Sequence, residues 1–298
     1  MHLPEPPALS AVLRQGARVD DRFFAPAALP LARPLTQRVP AQAVITQLLH
    51  LQKSAPPRSA PARFFGRSPL ADEAAPWYRG ALGELHVGRL LTKLPPGWYV
   101  LHAVPVGKGD ADIDHVVVGP GGVFTLNTKN HSGQKVWVAG RTFMVNGQKQ
   151  PHVRNAEHEA QRAGRLLSSA VGSPVTAIPV IAVVDPASLT EREKPATVVV
   201  LTSNQLVRWL KKRPTVLASA QVEALLTAAA HPGTWHASPP AAQDTSALQA
   251  SFTTVDREVR QARSVRRLWG LGLVGAGGLT TVTVGPSLLA AFLSRLIA

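Results

Sequence analysis

The feature that most constrains this chain is one run, Gly109 to Lys129 (GDADIDHVVVGPGGVFTLNTK). Two stretches rich in β-branched residues flank Gly119-Pro120-Gly121-Gly122. Glycine and proline break a helix there and turn the chain, so the run predicts a β-hairpin with strands over 112–118 and 123–128. Alternate residues of a strand share a face. Asp112 and Asp114 therefore face one way on the first strand, and Asn127 and Lys129 share a face on the second. If the register aligns, Asp114, Asn127 and Lys129 converge on one spot. Carboxylate and amide oxygens are hard ligands suited to Mg²⁺ or Mn²⁺. A lysine beside them can position a water and stabilise charge developing on a phosphate. His115 falls on the opposite face, where packing or a hydrogen bond is expected of it.

The hairpin sits inside a segment, 77–231, that reads as a folded domain. Leucines at 82, 85, 90 and 91 have near-helical spacing, and Pro95-Pro96-Gly97 ends that helix. A strand is expected over 98–106, with short strands over 135–138 and 141–145 that end at Asn146-Gly147. A helix follows over 152–171, then buried strands over 177–184 and 197–201, and closing helices over 204–213 and 218–230. This order predicts an α/β domain with a mixed sheet flanked by helices. Residues 1–76, rich in Pro and Ala, read as a mostly disordered arm with one short helix over 41–53. Nothing at Met1–Ser10 resembles a secretory signal. Residues 232–252 read as a linker and 253–267 as a basic helix. Residues 268–293 form a run of 26 without a charged side chain. A membrane-crossing helix needs about 20 apolar residues, so this run is a candidate span, although its six glycines also suit a packing helix pair or a loose tail. Arg263, Arg266 and Arg267 precede it and Arg295 follows. The positive-inside rule then leaves the domain cytoplasmic, anchored by one C-terminal helix.

Composition narrows the chemistry. The 298 residues contain no cysteine, which removes disulfides, thiolate nucleophiles and Cys-held zinc or iron–sulfur centres. Lys plus Arg number 32 against 18 for Asp plus Glu, a net charge of +14, and such an excess attracts polyanions, whether nucleic acid or anionic lipid. No phosphate-binding GxxxxGK[ST] loop, dinucleotide fingerprint or nucleophile elbow is present. His152 and His158 are six apart, not the three or four that would pair ligands on one helix face. Lys108, in a glycine turn, and Lys211, Lys212 and Arg213, at a helix end, are candidate contacts for a nucleic-acid backbone; the last three also simply suit the helix dipole.

Taken together these motifs resemble the nuclease-related domain, NERD, of the PD-(D/E)xK restriction-endonuclease-like superfamily. The family pattern is a helix with Gly-x-Glu, a D-x-D-H strand, a Gly-Pro-x-Gly turn and an apolar strand ending in acid-x-Lys. Here Gly83-Glu84 lies on the first helix, followed by Asp112-Ile113-Asp114-His115, then Gly119–Gly122, then Asn127-Thr128-Lys129. Gln161 on the second helix matches a glutamine of the family. The resemblance covers roughly residues 77–213. It implies a restriction-endonuclease-like fold, Asp114 as principal metal ligand, Glu84 as an auxiliary acid, Lys129 as catalytic lysine and Gln161 as a supporting residue. Asn127 departs from the pattern: its amide oxygen can ligate a cation but brings no charge.

Three functions compete at this level. The first is a Mg²⁺-dependent nuclease acting on DNA, with Asp114, Asn127 and Glu84 as metal ligands. The second is a nuclease-fold module that has lost catalysis and binds nucleic acid or a protein at the membrane, which Asn127 favours. The third is a tail-anchored scaffold whose basic helix meets anionic headgroups.

Overall fold

The computed structural model describes residues 34–109, 111–239, 241 and 243–296, with side chains up to residue 271. The predicted hairpin forms. Strands β1 (Tyr99–Pro105), β2 (Asp112–Gly119) and β3 (Gly122–Asn130) make an antiparallel meander. β3 then pairs in parallel with β7 (Ala177–Val184), and β7 with β9 (Val199–Thr202), giving a five-stranded mixed sheet in the order β1-β2-β3-β7-β9. β3 and β7 are parallel, so the chain must cross over between them, and helix α4 (His152–Val171) makes that crossing.

The sheet is covered on both faces, which is why β2, β3 and β7 read as nearly continuous apolar runs. On one face α3 (Ala74–Leu91) and α5 (Ser203–Lys211) bury Val87, Leu91, Leu206 and Leu210 against Val117, Phe124 and Leu126. On the other, α4 and α6 (Ser219–Ala230) bury Ala163, Leu167, Val222 and Leu225 against Val116, Val118 and Val123. The tight hairpin turn depends on Gly119. A Cβ there would lie 2.4 Å from Cδ2 of Trp98, whose ring stacks on Phe124 with centroids 6.0 Å apart. Gly119→Ala is expected to destabilise the domain by roughly 1–3 kcal/mol, the usual range for overpacking. Urea unfolding followed by tryptophan fluorescence checks this.

The structure departs from the sequence reading in three places. First, the excursion between β3 and α4 builds a second sheet: β4 (Lys135–Ala139), β5 (Thr142–Val145) and β6 (Gln148–Gln150), joined by β8 (Ser188–Glu193) in the order β6-β5-β4-β8. β6 and β8 carried no signal because almost every residue in them is exposed or polar. Second, the arm expected to be disordered to residue 76 is ordered from residue 34. A 3-10 turn (Leu35–Gln37), α1 (Gln42–Lys53), which is the short helix expected over 41–53, and α2 (Ala60–Phe64) pack on the domain. α1 buries Ile45 and Leu48 with Tyr78, Ala81, Phe252 and Val259. Residues 1–33 lie outside the described residues. Third, the expected linker is partly structured. α7 (Pro232–Trp235) buries Trp235, whose Nε1 donates to the Ala229 carbonyl at 2.8 Å. α8 (Thr245–Leu296) then begins ahead of the predicted basic helix and runs through it. Among the described residues no helix is long and apolar enough to cross a membrane. The candidate span 268–293 lies, from residue 272 onward, outside the described side chains.

Candidate functional site

The site is the fork where β2 leaves β3. Their paired register runs from Gly119↔Gly122 to His115↔Leu126. Beyond it β3 continues beside β7, with Asn127 opposite Ile181 and Lys129 opposite Val183. The Thr128 backbone N–H is left at the fork, and it donates to Asp114 Oδ2 at 2.6 Å. Asp114 is thereby fixed, and by alternation Asn127 and Lys129 face the α4 side, as the hairpin predicts.

Two helices add carboxylates from opposite faces. Glu84 comes from α3 and is only 5% exposed. Gly83 lets α3 approach closely, since a Cβ there would sit 3.0 Å from Asn130 Cβ. Glu159 comes from α4 and is half-buried. Both of its carboxylate oxygens accept from Asn127 Nδ2, at 2.8 and 2.9 Å. Asn127, 6% exposed, is thus oriented with its Oδ1 turned away from Glu159, buried and without a partner. Glu84 Oε2 and Asp112 Oδ2 are also buried without partners. Such atoms are expensive to leave unpaired.

Burial raises every acid here, and repulsion from neighbouring carboxylates adds to it at Glu84, Asp112 and Glu159. Glu84 is held well above the usual carboxylate range by burial, then by Asp114 and Asp112, with Lys129 and the Ala41 backbone N–H pulling the other way. Asp112 is pushed up to about 7 by burial and by Asp114, with Arg38 opposing. Glu159 reaches about 7 through burial, offset in part by the Asn127 hydrogen bond. Asp114 is raised by burial against the pull of Lys129 and of the Thr128 N–H. Burial raising a carboxyl and a cation lowering it are separable causes, and in this cluster burial wins.

Beside Lys129 stand two imidazoles, His131, missed in the sequence, and His152, which was weighed there only against His158. The rings of His131 and His152 stack with centroids 5.6 Å apart. Both are kept neutral, His152 down to about 3, by burial first and the charge of Lys129 as a further cause. His115 behaves as expected of the opposite face. Its Nδ1 lies 2.8 Å from Nδ1 of His102, so one ring donates to the other, and burial holds both neutral.

The remaining candidates scatter. Gln161 is exposed. It lines a cavity of about 420 Å³ with Asp112, Glu159, Arg162 and Arg165, while Glu159, two residues earlier, makes the contact with Asn127. Lys108 is exposed on the β1–β2 loop, next to Gly107, whose N–H bonds the Trp235 carbonyl at 3.1 Å. Lys211, Lys212 and Arg213 end α5 at the hairpin turn: a Cβ on Gly121 would lie 2.6 Å from Arg213 Cβ. That turn is five residues of strand from Asp114, about 17 Å at the usual rise. These three therefore do not join the fork, and Arg213 instead lies over the Trp209 ring at 5.0 Å.

Among the described residues no group of three or more His, Cys, Asp or Glu side chains could by itself hold a metal ion. The fork offers a smaller set: the carboxylates of Asp114 and Glu84 with the unpartnered amide oxygen of Asn127. All are oxygens, and an oxygen-rich pocket with few protein ligands suits a cation that keeps several waters, as Mg²⁺ does.

The fold is thus a mixed-sheet α/β domain forked at a D-x-D strand, with a lysine on the next strand and acids from flanking helices. Residues 79–184 match the model of the nuclease-related domain, NERD. The restriction-endonuclease-like superfamily expected from the sequence agrees with it. An uncharacterised protein of Bacillus anthracis is 44% identical over 69 residues, which are 22% of this chain and 31% of that relative. The chain thus spans about a third of the length of the curated relative it matches. No solved structure matches it.

Proposed function

We propose that the protein is a metal-dependent phosphodiesterase acting on DNA. One observation carries this reading: buried, unpartnered oxygens of Glu84, Asp112 and Asn127 meet Asp114 and Lys129 at a single fork. Asp114 and the free Oδ1 of Asn127 would hold the ion, with Glu84 alongside, while Glu159 fixes the Asn127 amide. When bound, Mg²⁺ or Mn²⁺ lowers the pKa of a coordinated water and polarises the phosphoryl oxygens. The protein's own groups do the rest. Asn127 uses its Nδ2 to hold Glu159 and so presents its Oδ1 inward. The Thr128 N–H holds Asp114. Lys129 offers a cation to charge developing on the phosphate. Arg162 and Arg165, on the rim of the neighbouring cavity, are suited to the phosphates that flank the scissile one. Attachment to a membrane by residues 268–293, with the domain on the cytoplasmic side, belongs to the same reading and is supported by the uncharged run and the arginines before it.

The test is plasmid relaxation by the full chain in Mg²⁺, in Mn²⁺ and in EDTA. Cleavage that needs metal and falls by roughly 10²–10³-fold or more in Lys129→Ala, the scale of losing one transition-state donor, supports the reading. Loss in Asp114→Ala as well places the chemistry at the fork. Asn127, which replaces an acid with an amide, favours a second reading: a module that binds DNA without cutting it. Salt-sensitive retention of DNA with no metal-dependent cleavage would establish that reading instead.

A further inference from the structure

The segment expected to be a disordered arm carries an exposed aromatic cluster that neither the domain core nor the fork uses. Phe64 and Phe65, at the end of α2, are 60% and 58% exposed. They pack against Trp269 of α8, with centroids 5.0 and 5.4 Å away. Leu268 and Leu271 beside it are 68% and 70% exposed. An apolar patch of this kind on a soluble face is unfavourable unless something covers it.

The patch is built, not incidental. Trp269 Nε1 donates to the Phe64 carbonyl at 2.8 Å. Gly66 holds a positive φ of 66° and touches α8 so closely that a Cβ would meet the Ala262 carbonyl oxygen at 2.5 Å. Arg58 pairs with Glu258 at 3.5 Å. Three separate contacts therefore fix α2 on α8 and set the two phenylalanines beside the tryptophan. Exposed arginines ring the cluster: Arg63 and Arg67 from the α2 segment, Arg263, Arg266 and Arg267 from α8.

We propose that this cluster is a membrane-interface collar: Phe64, Phe65, Leu268, Trp269 and Leu271 seat in the headgroup region of an anionic bilayer while the surrounding arginines meet its phosphates. Three considerations favour lipid as the occupant. The cluster stands where the uncharged run 268–293 begins, so the sequence that follows it is also free of charged residues to residue 293. Aromatic rings belong at a bilayer interface, where one side is apolar and the other wet. The arginines give the patch a charge that an anionic leaflet attracts and that a second copy of this +14 chain would repel. A nucleic acid would pair with the arginines but offers nothing to dehydrate two leucines. The collar goes beyond attachment by the tail alone: it adds a second contact that fixes the orientation of the domain on the lipid surface.

The chain contains no cysteine, so a single introduced thiol carries a dye without background. Phe65→Cys in the full chain is labelled with a nitrobenzoxadiazole dye and mixed with vesicles of phosphatidylcholine with or without phosphatidylglycerol. Ser173→Cys, exposed on the loop after α4, is the control. The expected result is a blue-shifted, several-fold brighter signal at position 65 on phosphatidylglycerol vesicles and no change at 173. In the labelled chain, Arg63→Gln with Arg67→Gln is expected to weaken that response roughly 30-fold at low salt, about fivefold per arginine. A chain that floats with vesicles while the dye at 65 stays unchanged overturns the collar and leaves the tail as the sole anchor. A chain that does not float overturns both. A dye that responds to duplex DNA and not to vesicles overturns the lipid assignment and makes the patch a nucleic-acid surface.

Discussion

A chain beginning at residue 54 is expected to lose most of its folding stability. α1 contributes Ile45 and Leu48, both fully buried, and the Ala41 preceding it is buried as well. Each fully buried Ile or Leu is worth about 1.5–3 kcal/mol. Removing the helix also uncovers Tyr78 and Ala81 on α3 and Phe252 and Val259 on α8, which it covers in the same cluster. Counting both sides, the loss is roughly 6–10 kcal/mol, against a whole-domain stability of about 5–15 kcal/mol. The site suffers too, because Arg38 and the Ala41 N–H offset the charge of Asp112 and Glu84. Urea unfolding followed by circular dichroism is the measurement. A truncated chain with an unchanged midpoint would show that α1 adds nothing. The milder Leu48→Ala keeps the helix and is expected to cost about 2–5 kcal/mol, lowering Tm by roughly 5–15 °C.

That α1 matters so much was not legible in the sequence, and the reason is physical. The helix itself was expected over 41–53, but the Pro- and Ala-rich stretches on either side of it resemble a chain unable to offset its own ordering entropy, so it read as an isolated helix in a loose arm. What orders it is contact with α3 and α8, and such tertiary contacts leave no local mark. The hairpin was legible because a glycine-proline turn and strict alternation are local signals, and they carried Asp114, Asn127 and Lys129 to one end of the sheet. Glu159 was missed although a signal existed. On α4 the buried stripe runs through Val153, Ala156, Ala160, Ala163 and Leu167, and Glu159 lies within it, an acid where the period asks for an apolar residue. Gln161 drew notice instead through a family pattern, but its position on the helix turns it outward. Acids that interrupt an apolar helix stripe therefore locate this site better than acids on strands alone. β6 and β8 show the opposite limit, since strands exposed on both faces have no periodicity to read.

Divalent metal is expected to stabilise the folded chain strongly at about pH 8 and hardly at all at about pH 5, because only deprotonated carboxylates compete for the ion. Asp112 and Glu159 are raised to about 7, and Glu84 and Asp114 are raised as well. In the unfolded chain the same groups titrate near 4. Below about pH 4 both states hold the protons, and the full stability is present. Between about 4 and 7 the unfolded chain releases protons that the folded chain keeps, so stability falls as pH rises, and the loss is complete for Asp112 and Glu159 above about 7. A cation at the fork neutralises the charges that cause this loss. At about 100 times its dissociation constant it adds about 2.7 kcal/mol, which raises Tm by roughly 5–11 °C for a chain of this size. Two variants move the effect in opposite directions. Glu159→Gln removes a charge, so the metal-free chain becomes more stable at about pH 8 while the gain from Mg²⁺ or Mn²⁺ shrinks. Asn127→Asp adds a charge beside Glu159, so the metal-free chain loses stability there and the gain from metal grows. Scanning calorimetry with and without EDTA at both pH values reads all of these. A metal effect equal at the two pH values, or unmoved by either variant, would show that the ion binds away from the fork.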